Sequence, residues 1–91
     1  MSKKAATRQE KQHMSEVAAL GCIICRRPAE VHHLPRQGGY RKNHFESIPL
    51  CPAHHRTTNE SVHAGRRTFE ARYGTERELL AKTLTLLKKS V

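Results

Sequence analysis

All three cysteines of this chain, and most of its seven histidines, crowd into one short stretch of a 91-residue sequence. The stretch begins with Cys22-Ile23-Ile24-Cys25 and continues through Val31-His32-His33. It ends with Pro49-Leu50-Cys51-Pro52-Ala53-His54-His55. Cysteine and histidine are the side chains that hold zinc, and histidine is also the commonest general base near neutral pH. The donors outnumber what one ion needs. That surplus favours an enzyme over a simple zinc finger.

A chain this short makes one small domain, and such a domain buries little. Aromatic residues make up 4% of the sequence and Trp is absent, so a structural metal would help to hold the core. Three cysteines cannot all pair as disulfides. The start, Met1-Ser2-Lys3-Lys4-Ala5-Ala6, lacks the apolar run of a signal peptide. No segment approaches the roughly 20 apolar residues of a membrane helix. The expectation is a reducing cytoplasm, with the cysteines as metal thiolates.

Seventeen Lys and Arg against eight Asp and Glu give a formal charge of +9. A polyanion, and above all nucleic acid, is the expected partner. The plainer alternative is a basic surface that only keeps the chain soluble. No basic amphipathic helix with bulky apolar anchors argues for a membrane surface.

Residues 1–12 read as a basic arm, either mobile or a helix that orders on binding phosphate, and 13–91 as a single domain. A short helix is expected from about His13 to Leu20, with Met14, Val17 and Ala18 on one face and Gly21 as its stop. Short extended segments are expected at Glu30–Leu34 and Ser47–Leu50, with Pro49 limiting pairing in the second. Between them lies a loop containing Gly38-Gly39. From Cys51 onward a helix should begin, Pro52 being tolerated in its first turn. Two strands and a helix make a ββα unit, so the fold class is α+β with flanking N- and C-terminal helices. A further helix fits Arg66–Tyr73, with Phe69 and Tyr73 on one face and Gly74 at its end. Thr75-x-x-Glu78 has the form of a capping box. It opens a last helix whose apolar stripe is Leu80, Leu84, Leu87 and Val91.

The ligands divide by spacing. Cys22-x-x-Cys25 and Cys51-x-x-His54 together complete a Cys₃His set, which is closed and therefore structural. His32, His33 and His55 are left over. Neighbours on a strand point to opposite faces, so His32 and His33 cannot serve one ion from a regular strand. One should ligate a metal and the other handle a proton. His63 would share a face with His55 and Asn59 on an unbroken helix. Thr57, Thr58 and Asn59 are poor helix formers, however, and a break there would let His63 return to the metal from a loop. The plain alternative for His63 is a surface or capping histidine.

This order of residues resembles the HNH nucleases, the ββα-metal or His-Me finger group. The resemblance is nearest to small phage and prophage proteins of the Ref (recombination enhancement function) type, whose activity depends on RecA filaments. Ser47-Ile48-Pro49-Leu50-Cys51-Pro52-Ala53-His54-His55 carries most of it. Ser61-Val62-His63-Ala64-Gly65, Phe69-Glu70 and Tyr73-Gly74 add to it, and it spans about residues 20–80. The resemblance implies a zinc-stapled core and a metal-dependent DNA endonuclease linked to recombination. It places the general base at His33 and ligands of a catalytic ion at His32 and His55, and it favours a working His63. For the middle position of the motif, Asn43, His44 and Glu46 compete, and His44 is the one placed beside His33 as catalytic. Arg36, Arg41, Lys42 and Arg56 are candidates, by position, for holding DNA. The implied cofactors are a structural Zn²⁺ and a catalytic divalent ion, Mg²⁺ or Mn²⁺ first, Zn²⁺ or Ni²⁺ next. The implied partners are duplex or single-stranded DNA and the RecA filament. The competing reading is a non-catalytic zinc module that binds nucleic acid. A zinc adaptor for protein partners comes third.

Overall fold

A computed structural model describes residues 6–35 and 43–89. The described elements are helix α1 (Arg8–Ala19), strands β1 (Glu30–His33) and β2 (Ser47–Leu50), a short π-helical turn (Ala53–Thr57), and helices α2 (Arg66–Tyr73) and α3 (Glu76–Lys89). The result is a small α+β protein.

Helix α1 starts inside the segment that composition marks as an arm. Its cause is a capping box: the Glu10 N–H donates to Thr7 Oγ1 at 3.1 Å, and the Thr7 N–H donates to Glu10 Oε1 at 2.7 Å. Two orphan amides of the first turn are thereby satisfied. Thr7→Ala should cost about 1 kcal/mol, read as a lower thermal midpoint; an unchanged midpoint would show that α1 does not depend on its cap. Val17 is the buried residue of α1, with Met14 and Ala18 half-buried beside it, which is the expected face. Gly21 ends the helix at φ 80°. A Cβ there would sit 2.8 Å from the Arg26 carbonyl oxygen, so glycine suits the position on both counts.

The strands pair antiparallel, with Glu30 opposite Leu50, Val31 opposite Pro49, His32 opposite Ile48 and His33 opposite Ser47. Pro49 does not break this short ladder, and its carbonyl accepts the Ile23 N–H at 2.9 Å. That bond ties the Cys22–Cys25 knuckle to the strand that ends at Cys51. All four residues of β2 are buried. Ile48, Leu50 and Leu34 form the core with Cys22, Cys51, Val62, Phe69, Leu79 and Leu80.

Two expectations are corrected here. The helix expected from Cys51 is only the turn Ala53–Thr57, ended by Thr58 in an extended conformation. Thr58 Oγ1 donates to the Ala53 carbonyl at 2.6 Å, so a side chain takes an acceptor that a continuing helix would use. The apolar stripe of α3 is also rotated from the expected one. Glu76, Leu79, Leu80 and Thr83 are buried, whereas Leu84 is 41% exposed and Leu87 half-buried. The inward face includes a carboxylate and a hydroxyl, which hydropathy alone assigns to solvent. Val91 lies outside the described residues. Helix α2 has the expected limits, and Phe69 packs on Tyr73 with ring centroids 5.1 Å apart. The Thr75–Glu78 capping box forms, with bonds of 2.7 and 3.1 Å.

Candidate metal centres and active site

Cys22, Cys25, Cys51 and His54 bring four donor atoms within 4.8 Å of one another. Cys25 Sγ and Cys51 Sγ are 3.6 Å apart; His54 Nδ1 is 3.6 Å from Cys22 Sγ and 3.2 Å from Cys51 Sγ. A zinc tetrahedron with bonds of about 2.3 Å has edges of roughly 3.8 Å. A disulfide would need about 2.05 Å, and the cysteines are free. The set therefore fits a zinc ion. Burial pushes the Cys22 thiol up, but N–H groups of Cys51, Cys25 and Ile24 outweigh it and the thiol is lowered. Cys25 goes the other way. The Arg27 N–H pulls it down, but burial and the thiols of Cys51 and Cys22 outweigh that and raise it. Neighbouring thiols resist becoming thiolates together, and a cation removes that conflict. Tyr73 of α2 packs edge-on against His54, centroids 5.3 Å apart, which joins the cluster to the core.

A second set, His32, His55 and His63, also lies within 4.8 Å. The short turn after Cys51 makes this possible. His63 N–H donates to the His55 carbonyl at 3.2 Å, and Val62 N–H to that of His54 at 2.8 Å, so the chain folds back on itself. His55 and His63 then face each other with their Nε2 atoms 3.0 Å apart. Two such nitrogens need either a proton or a cation between them. A zinc-like ion with bonds of about 2.1 Å would set them roughly 3.4 Å apart, so the residues fit one. The His63 pKa is lowered, first by burial and then by its neighbours His32, His55 and Arg66.

Two carboxylates brace these rings, and neither stood out in the sequence. His55 Nδ1 lies 2.7 Å from Glu30 Oε1, which leaves Nε2 for the cluster. Arg56 donates to the same carboxylate from Nε at 3.0 Å and Nη2 at 2.6 Å. Arg56, then His55, holds the Glu30 carboxyl down at about 2. Arg56 thus holds Glu30 through Nε and Nη2, with its side chain exposed. Buried Glu76 accepts from His32 Nε2 at 2.6 Å through Oε2 and from Arg66 Nε at 2.6 Å through Oε1. Burial alone would raise its pKa; the bonds from His32 and Arg66 outweigh that and lower it. The only sequence trace of Glu76 was its place inside a capping box.

His33, on the strand face opposite His32, meets His44: His33 Nε2 and His44 Nδ1 are 2.9 Å apart. The other competitors for the middle position are engaged elsewhere. Asn43 Oδ1 accepts the Phe45 N–H at 2.9 Å, and Glu46 pairs with Arg77 at 3.0 Å. Arg36, Arg41 and Lys42 lie outside the described residues. Among the described residues, no helix is long and apolar enough to cross a membrane.

Fold and sites together define a small α+β protein with one cysteine-rich cluster able to hold zinc and a second cluster built of histidine alone. The family described as recombination enhancement, RecA-dependent nuclease matches residues 6–88. The chain belongs to that family, which makes it an enzyme acting on nucleic acid and links it to recombination. No curated protein matches the chain closely enough to count.

Proposed function

We propose that the protein is a metal-dependent endonuclease of the HNH, ββα-metal type that hydrolyses DNA, phage- or prophage-encoded and acting with RecA filaments. The observation that carries this reading is the separation of the ligands into two sets, one closed by thiolates and one of histidines only. A module that merely binds nucleic acid needs the first set and has no use for the second.

In this reading Cys22, Cys25, Cys51 and His54 hold a structural zinc, and His32, His55 and His63 would hold a divalent ion, Mg²⁺ or Mn²⁺ first and Zn²⁺ or Ni²⁺ next. Held by those residues, such an ion would supply a positive charge that offsets the negative charge developing as the phosphodiester is cleaved. His33 takes a proton from water as the water oxygen bonds to phosphorus and the P–O3′ bond breaks. His44 orients His33 through the bond between their rings. Glu30 fixes the ring of His55, and Glu76 fixes that of His32.

Cleavage of plasmid and single-stranded DNA across a series of divalent ions tests the proposal. Cleavage that needs an added ion supports it. Binding without cleavage under every ion favours the non-catalytic zinc module. Glu76→Gln keeps the shape but removes the charge behind His32. It should weaken ion binding at the histidine cluster about 10- to 100-fold. Cobalt uptake reads this directly, since thiolate-to-cobalt absorption marks only the cysteine site and should not change. An affinity at the histidine cluster equal to that of the unaltered protein would show that Glu76 plays no part in holding the ion.

A further inference from the structure

We propose that Arg66 grips a phosphate of the substrate strand beside the three-histidine cluster, from a cavity between the exit of β1 and the start of α3. This rests on the nuclease reading above and names a contact that reading lacks. The cavity has a volume of about 210 Å³ and is walled by Leu34, Pro35, Arg66, Glu70, Glu76 and Arg77 among others. Glu76 belongs to this wall and also touches His32, so the cavity adjoins the cluster.

Arg66 differs from the other paired arginines near the sites. Arg56 commits Nε and Nη2 to Glu30, and Arg77 directs both Nη atoms at Glu46. Arg66 reaches its carboxylate through Nε, and its side chain is 46% exposed. A guanidinium carries five N–H donors, so the Nη edge is left for an incoming anion. Its anchor is firm, because Glu76 is buried at the start of α3 and bonded on its other oxygen to His32. A pre-positioned arginine holds phosphate with less loss of side-chain freedom than a loose surface one. One carboxylate therefore sets the spacing between a candidate ion ligand and a phosphate-holding cation. Glu70 on the same wall opposes any phosphate, so the hold has to come from the directed Nη donors of Arg66.

The test is oligonucleotide binding by fluorescence anisotropy over a salt series, in a zinc-loaded His33→Ala background in which cleavage is slowed. Arg66→Gln should weaken binding and lower the slope of log affinity against log salt by about one, the signature of a lost phosphate contact. Arg66→Lys should restore most of the slope, because charge sets it. Arg72→Gln, which removes an arginine paired with exposed Glu60, should leave both quantities unchanged. Zinc content and melting temperature report on folding separately. An Arg66→Gln protein that stays folded and keeps the parental slope overturns the assignment. A background protein that binds neither single-stranded nor duplex DNA overturns the DNA reading itself, and this assignment with it.

Discussion

Cys51→Ser should yield a chain that no longer melts cooperatively, and prolonged treatment with a strong chelator should do the same to the unaltered protein. Cys51 stands where β2 ends, and its carbonyl accepts the N–H groups of both His54 and His55, at 3.1 and 2.8 Å. Cys22 and Cys51 are themselves members of the small buried core. A structural zinc contributes about 10–16 kcal/mol in peptides that fold around it, against a net stability of about 5–15 kcal/mol for a whole domain. Losing the ion therefore removes as much as the fold has. Cys22→Ser should behave in the same way, whereas Leu84→Ala on the exposed side of α3 should change stability by about 0.5 kcal/mol or less. Circular dichroism through a thermal ramp, together with zinc per chain, measures both. A chelated, zinc-free protein that kept a cooperative transition within a few degrees of the original would show that the cluster is not a staple.

Spacing carried the local elements well. The limits of β2 and α2, and the capping box before α3, come from signals that act within a few residues, and the structure has them where those signals lie. Thr7-x-x-Glu10 is a signal of the same kind, obscured by the basic residues around it. Long-range packing was not legible in this way. The inward face of α3 carries Glu76 and Thr83: Glu76 is met by His32 and Arg66, and the Thr83 hydroxyl donates to the Leu79 carbonyl at 2.8 Å. A hydropathy stripe cannot register a face whose burial is satisfied by ion pairs.

The candidate sites show the same division. The Cys₃His set follows from two short x-x spacings; removing its members leaves His32, His33 and His55, and only the family resemblance separates His33 from the ligands and favours His63. The return of His63 needed a helix to fail, and the weak helix formers Thr57, Thr58 and Asn59 gave the reason. Glu30 and Glu76 gave no such warning. Each lies at least 25 residues from the histidine it touches, and a carboxylate at a strand or helix start looks ordinary.

His33→Ala should lower DNA cleavage by about 10²–10⁴-fold, the usual contribution of a positioned general base, while zinc content and melting temperature stay as they were. The fold should tolerate the change. His33 is only half-buried at the end of β1, and backbone pairing with Ser47 does not use its ring. His44→Ala should lower the rate less, because that ring acts through His33 and does not itself take the proton from water. His32→Ala makes the informative contrast: it should abolish ion uptake at the histidine cluster and cleavage together, whereas His33→Ala should leave uptake intact. If cleanly purified His33→Ala protein cut DNA at the original rate, the proton would have to go elsewhere. The division of His32 and His33 into ligand and base would then be wrong.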